Sequence, residues 1–441
     1  MEETQEISLD KRYQFPTGLK TVLCDGKILI ISPETANWVV LNSDKELEIF
    51  HELSSKPLGE VLLNHGQKHV ERVLVELEAK QFEKKALHTQ GTEHGLCLYL
   101  TTSCNMRCKH CYMYAGTALG SELSTAEIKK LLYDFAKHHG VKLTITGGEA
   151  TLRNDFEQIV KYAKSLGLVI TVLTNGLLWT SELRESLKND IAEVQVSIDG
   201  YDETSYNNVR GFGFQRACQS VRDFLNAGYK TTIAVTPFAE DLDKHLDDYI
   251  LFAKSWLEDW KDTSLTIKFS HEVLDGRGVH PTEEQNKIYK KHIEDIIEIL
   301  YPGDKINTFA LNRKGNSLFR NCGYGEVTVL SNGDVYFCNR VYELPKQGNV
   351  RTMSYDEIMK RAEAASKKSD ISMLKPCSDC ELRYICGGGC RIKHFPALVR
   401  DENPNTNSAM YARKDSCTAE NKEEFYRLMI AANHLLYSYR E

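Results

Sequence analysis

The sequence has no apolar run approaching the roughly 18 residues of a membrane-spanning helix. Its opening, MEETQEISLD, lacks the apolar stretch of a secretory signal and reads as a chain that stays in the cytoplasm. A basic excess is also missing. Fifty-five Lys and Arg against 62 Asp and Glu give a formal net charge of −7, which argues against a general nucleic-acid binder. No internal repeat or low-complexity tract is present. Cysteine, by contrast, is plentiful: there are 13 in 441 residues. Without an export signal they belong to a reducing compartment, where clustered thiols serve as metal ligands more often than as disulfides. The length predicts two or three domains.

The first domain spans 1–90. GLKTVLC, KILIIS and NWVVLN read as three short strands broken by Asp25-Gly26, a tight-turn pair, and by Ser32-Pro33. Helical spacing begins after Asn42-Ser43 with Leu47, Phe50 and Leu53, and a longer helix is expected from about His65 to Leu87. Residues 88–94, HTQGTEH, read as a linker. From Leu96 the chain alternates. Strands are expected at 96–102, 142–147, 168–174, 193–199, 230–236 and 264–270, with helices near 124–139, 154–166, 180–189, 214–228, 240–258 and 281–300. Six such units over 95–310 predict an α/β fold with a parallel sheet, and ligands of such sheets gather at the C-terminal strand ends. Beyond residue 320 apolar periodicity is sparse. A hairpin turns at Asn332-Gly333, cysteines punctuate 320–420, and a final helix lies in 421–441. Metals can staple a region this poor in core.

Two cysteine groups carry chemistry. Cys104, Cys108 and Cys111 are spaced C-x3-C-x2-C directly after the first parallel strand. Three thiolates suit a [4Fe-4S] cluster with one iron left open, and Arg107 and Lys109 offset their charge. On spacing alone, a Cys3His zinc site that includes His110 is the rival. Gly147-Gly148-Glu149 follows the second strand, Asn175 the third, and Ser197 and Asp199 lie at the fourth. The second group is Cys322, Cys338, Cys377, Cys380, Cys386, Cys390 and Cys417, with Gly333 and four further residues directly before Cys338. A zinc ribbon is the local rival there. Cys24, Cys97 and Cys218 stand apart and read as structural.

The cysteine loop, the aromatic Tyr112 after it and the Gly-Gly-Glu of the next strand resemble the radical S-adenosylmethionine (SAM) superfamily. The resemblance implies a partial (βα)6 TIM-like barrel. It also implies a SAM-binding cluster on Cys104, Cys108 and Cys111 and a 5'-deoxyadenosyl radical that abstracts a substrate hydrogen. Tyr112, Gly147, Gly148, Glu149, Asn175, Ser197, Asp199 and Arg210 are the implied SAM contacts: Glu149 for the ammonium, Arg210 for the carboxylate. The second cysteine group resembles the SPASM pattern. By that resemblance one auxiliary [4Fe-4S] cluster takes Cys322, Cys338 and Cys390 and another takes Cys377, Cys380, Cys386 and Cys417, for three clusters in all. Some relatives have an eighth cysteine between the first two; GYGEVTVLSNGDVYF has none. The expectation is therefore an open auxiliary iron able to take a substrate thiolate.

The first ninety residues resemble a PqqD-like recognition element, a winged-helix-like α+β module that binds a leader peptide along a sheet edge. Together these resemblances imply a peptide maturase, an oxidoreductase of ribosomally made (RiPP) precursors. It would install an intramolecular crosslink, first a cysteine thioether and next a carbon–carbon bond, with flavodoxin or ferredoxin as electron donor. Oxidation of a protein side chain, as in anaerobic sulfatase maturation, and a non-enzymatic zinc-binding protein are the alternatives. No acid or base stands out; Glu272 and His271 near a strand end are candidates without a distinguishing feature, and Asp275–Gly278 reads as a turn.

Overall fold

Period-2 alternation of apolar and polar residues builds the parallel sheet, and the period switches to 3.6 in the helices that cover it. A computed structural model describes residues 8–85, 94–313, 318, 322–400 and 411–436. The expected linker therefore lies outside the described residues except for His94. The chain divides into two compact units. One gathers residues 1–90, 303–323 and 367–441, the other 91–302 and 324–366. The cysteine-rich region 320–420 is thus shared between them.

In the first unit β1 (Lys20–Cys24), β2 (Lys27–Ser32) and β3 (Asn37–Leu41) form an antiparallel sheet in that order. Asp25 and Gly26 both take positive φ (47° and 71°), as a two-residue hairpin requires. Helices α1 (Asp44–Ser55), α2 (Leu58–His65) and α3 (Gln67–Ala79) follow. The sequence reading expected the longer helix at about His65 to Leu87, which is α3, and did not read α2; Gly66, at φ 80°, separates the two. Ile28, Ile30 and Val39 on one sheet face pack with Phe50, Leu53 and Val70 of the helices, and Phe15 stacks on Phe50 at 4.2 Å. The other face, with Leu29, Ile31 and Trp38, packs with Phe309, Ile385 and Met429.

The two edges of this sheet differ. Cys24 and Lys27 close the hairpin as a hydrogen-bonded pair, so alternate residues turn outward. On β3 the outward N–H groups are taken by side chains. Trp38 N donates to Asn37 Oδ1 (2.9 Å), Val40 N to Glu76 Oε2 (3.1 Å) and, just beyond the strand, Asn42 N to Glu46 Oε2 (2.7 Å). On β1 the outward residues are Thr21 and Leu23, both exposed, Leu23 by 75%. Glu76 also binds the buried Lys80 (2.6 Å) and Asn433 (2.9 Å).

In the second unit β4 (His94–Tyr99), β5 (Gly140–Thr146), β6 (Val169–Thr174), β7 (Ile191–Ser197), β8 (Thr231–Val235) and β9 (Leu265–Phe269) run parallel in chain order. These are the six expected strands. Helices α4 (Thr125–Lys137), α5 (Phe156–Ser165), α6 (Ser181–Leu187), α7 (Glu203–Arg210), α8 (Phe214–Asn226), α9 (Ala239–Lys244) and α10 (Leu246–Asp259) connect them, and α11 (Glu283–Leu300) follows. The outer strand face is aliphatic: Leu96, Leu98, Ile145, Val172, Val194 and Val196 are buried with Phe135, Ile159 and Phe224 of the helices. The inner face is polar, with Cys97, Tyr99, Thr144, Glu193, Gln195 and Ser197 alternating against them. The arrangement is the expected α/β partial barrel.

Several helices were not read from the sequence, among them α7 and α12. α7 is only eight residues long, and α12 (Asp304–Asn312) belongs to the first unit. Strands β10 (Val327–Val329), β11 (Asp334–Tyr336) and β12 (Gly348–Asn349) extend the sheet on the β4 side, β10 pairing parallel with β4. Their hairpin turns at Gly333, as expected, with φ 86°.

Candidate active site

The loop after β4 is held by its own backbone. Cys104 N donates to Gly116 O (3.0 Å), Gly116 N to Thr102 O (2.8 Å), Lys109 N to Val209 O (2.9 Å) and Gly278 N to Lys109 O (2.7 Å). Arg277 donates to Ala115 O at 2.5 Å, and Arg107 to Cys104 O at 2.7 Å. Asp275–Gly278, read as a turn, is thus a brace for the loop: a Cβ on Gly276 would stand 2.6 Å from the His110 carbonyl carbon.

Cys104, Cys108 and Cys111 are half-buried and form no disulfide. Burial pushes the Cys104 thiol up to about 11, with Glu149, Cys108 and Cys111 adding to it. Burial also raises Cys108, against the pull of Arg210. Mutually raised neighbouring thiols favour a cation that replaces their protons. A single zinc would draw tetrahedral sulfurs to within about 4 Å of one another. Among the described residues the one such close three-donor group is Glu48, Glu52 and His65, so the three loop thiols do not all lie that close together. His110 is committed elsewhere, its Nε2 lying 3.2 Å from Asp199 Oδ2.

Gly147 and Gly148 lie against the cysteine loop. A Cβ on Gly147 would lie 2.6 Å from Thr101 O, and one on Gly148 would lie 2.2 Å from Ser103 O. Gly148 N and Glu149 N donate to those same carbonyls, each at 2.8 Å. The glycines therefore let β5's end approach the cysteine loop itself. Gly148→Ala is expected to cost about 1–3 kcal/mol and to lower iron uptake, read by thermal unfolding and metal analysis. Glu149 is buried and serves as a hub: it accepts from Thr151 Oγ1 (2.7 Å), Thr174 Oγ1 (2.8 Å) and Asn175 N (2.8 Å). Asn175 in turn donates to Asn105 of the loop at 2.7 Å.

Arg210 and Asp199, both implied SAM contacts, meet each other. Arg210 Nε donates to Asp199 Oδ2 at 2.5 Å, and Thr236 N donates to Asp199 Oδ1 at 2.7 Å. Burial alone would raise the Asp199 carboxyl, but Arg210 and His110 hold it down to about 2. Burial would likewise lower Arg210, and Asp199 raises it instead. Ser197 is half-buried on the inner face. The Tyr112 hydroxyl pairs with Tyr99 at 2.7 Å, and its ring meets Tyr342 edge-on at 6.3 Å. A cavity of about 450 Å³, lined by Lys109, Phe238, Asp241, Lys244, Val279 and His280, opens beside the loop past the ends of β8 and β9. Glu272 pairs with Arg340, and burial lowers His271; neither acquires a distinguishing feature.

In the first unit, Cys377, Cys386 and Cys417 are electrostatic neighbours, and Cys380 adjoins Cys377. Gly387, Gly388 and Gly389 take three successive left-handed conformations before Cys390 (φ 72°, 79° and 76°). The buried Arg391 adjoins Cys322, Cys377 and Cys390, and Arg413 adjoins Cys377. Cys338 lies in the second unit. Sequence reasoning missed the His110–Asp199–Arg210 link and the two arginines. Their only signal was position, His110 inside the C-x2-C and Arg391 directly after Cys390.

Residues 98–253 match the radical SAM superfamily, and residues 321–381 match the SPASM iron–sulfur cluster-binding domain. The mycofactocin maturase MftC of Mycolicibacterium smegmatis is 28% identical over 73% of this chain and 83% of its own. The AdoMet-dependent heme synthase of Methanosarcina barkeri is 26% identical over 68% and 91%. Native anSMEcpe, solved with bound AdoMet and Cp18Cys peptide, shares the fold at 19% identity. Its TM-score is 0.56, covering 78% of this chain and 99% of that one.

Proposed function

This chain is a radical SAM enzyme with a SPASM region, and from that premise we propose that it installs an intramolecular crosslink in a ribosomally made precursor peptide. The observation that carries the reading is the braced loop of three half-buried thiols at the C-terminal end of β4, over a polar inner strand face. Similarity to a maturase over most of its length, and to a fold solved with a peptide bound, supports a peptide substrate.

In this reading Cys104, Cys108 and Cys111 hold a [4Fe-4S] cluster. When bound, the cluster supplies the electron that cleaves SAM to a 5'-deoxyadenosyl radical. The backbone of Gly147–Glu149, with Tyr112, Asn175 and Ser197, borders the SAM position. Asp199 holds Arg210 in place for the SAM carboxylate and holds His110 within the loop. Two auxiliary clusters take the SPASM cysteines, Cys322, Cys338 and Cys390 for one and Cys377, Cys380, Cys386 and Cys417 for the other. The bond formed follows from the auxiliary iron: a cysteine thioether if one iron is open to a substrate thiolate, a carbon–carbon bond if protein ligands hold all four. A low-potential cytoplasmic flavodoxin or ferredoxin supplies electrons. No helix among the described residues is long and apolar enough to cross a membrane.

The N-terminal module is the leader reader. β3 has its outward N–H groups capped by side chains, whereas Thr21 and Leu23 of β1 face outward and exposed, so the leader adds along β1. Thr21→Pro is expected to weaken precursor binding at least tenfold by calorimetry while iron content stays at the parental level. An unchanged affinity assigns leader binding elsewhere. The function itself is tested by anaerobic incubation with SAM, dithionite and a short cysteine-containing precursor peptide. A product lighter by one hydrogen pair, with a new crosslink in its fragment spectrum, is expected. Formylglycine formation or an unmodified peptide overturns the reading.

A further inference from the structure

Seven SPASM cysteines divide into four and three, and the stretch between Cys322 and Cys338 offers no eighth. The second unit brings another thiol beside Cys338. Thr328 of β10 pairs with Cys97 of β4 on one side and with Tyr336 of β11 on the other. Directly opposed residues share a sheet face, so Cys97 and Tyr336 lie on the same face. Tyr99, two residues after Cys97 and therefore on that face too, donates from its hydroxyl to the carbonyl of Asn339, the neighbour of Cys338, at 3.5 Å. Glu326 lies beneath: its Oε2 would stand 4.0 Å from a Cβ on Gly95, two residues before Cys97 and on the same face.

Cys97 differs from the other two solitary cysteines. Cys24 and Cys218 are buried in hydrophobic cores, among neighbours such as Trp38 and Phe224 respectively. Cys97 is half-buried on the polar inner face. Cys338 follows Tyr336 by two residues, just past the end of the strand that shares this face.

We propose that Cys97 is the fourth protein ligand of the auxiliary cluster that Cys338 serves. The inference rests on the reading of Cys338 as a cluster ligand, and it bears on the bond formed. With Cys97 in place no iron of that cluster is left for a substrate thiolate, and the carbon–carbon product gains over the thioether.

The test uses full-length protein in which Cys104, Cys108 and Cys111 are alanine, reconstituted anaerobically so that only auxiliary clusters contribute. Adding Cys97→Ala is expected to change the Mössbauer parameters of about one-eighth of the iron, one site in two four-iron clusters. It should also create a cyanide-dependent EPR signal absent from the parent. Cys97→Ser, closer in shape, guards against a folding defect and shifts the same eighth of the spectrum, while Cys24→Ala changes nothing. Superimposable spectra for the parent and both Cys97 variants, or a parent that already answers cyanide, overturn the assignment. A parent holding zinc without sulfide overturns instead the cluster reading beneath it.

Discussion

Replacing Cys104, Cys108 and Cys111 together by alanine is expected to bring SAM cleavage to background while about two-thirds of the bound iron remains, as two of three four-iron clusters would leave. The loop does not depend on its thiols for shape. Its ends are joined by the Cys104–Gly116 and Gly116–Thr102 backbone bonds, and its middle is tied to Val209 and Gly278. The thiols themselves make one recorded bond of structural weight, from Met106 N to Cys104 Sγ at 3.4 Å. The variant should therefore fold, keep its thermal midpoint within a few degrees and lose only the chemistry. 5'-Deoxyadenosine formation with dithionite, measured by chromatography, reads the result. Cleavage that persists in the triple variant removes the radical role from this loop.

The second large effect is expected at Asp199. Asp199→Asn leaves Arg210 buried without its counter-ion and removes the anchor of His110, at a cost of about 3–5 kcal/mol. Asp199→Asn combined with Arg210→Met removes both charges and should recover much of that stability without recovering SAM affinity. Denaturant unfolding and SAM binding, measured on the same three proteins, separate the two roles. Recovery of both in the double variant would make the pair merely structural. The acid limb of stability carries the same information. The folded-state carboxyl at about 2 lies below its ordinary 3.8, so the contribution is complete above pH 3.8 and fades as pH falls toward 2. Its size is on the order of 2 kcal/mol. Asp199→Asn should flatten that part of the profile.

Much of the fold was legible because its signals are local. Six strands carry aliphatic residues on alternate positions and polar ones between them, and Asp25-Gly26 and Asn332-Gly333 fall at the hairpin turns. α7 escaped because its inward residues are Ser205, Tyr206, Val209 and Arg210, a poor apolar stripe whose helix is held by the Asp202 cap. The cysteine loop was legible by spacing. What surrounds it was not, since pairings such as His110–Asp199 or Glu149–Thr174 join residues whose meeting depends on strand register. Gly147-Gly148 stood out as two glycines at a strand end, but their close approach to Thr101 and Ser103 was not legible. A sequence marks where a side chain must be absent but does not name the atom that needs the room.

The backbone ties of the cysteine loop have a consequence for assembly. The amides of Cys104 and Gly116 are already bonded within the protein, so the ordering entropy of the loop is settled when the chain folds rather than when iron arrives. Iron delivery then resembles filling a rigid socket, and its rate should follow carrier concentration with no slow refolding phase. The same two amides should exchange with deuterium as slowly in iron-free protein as in the reconstituted enzyme.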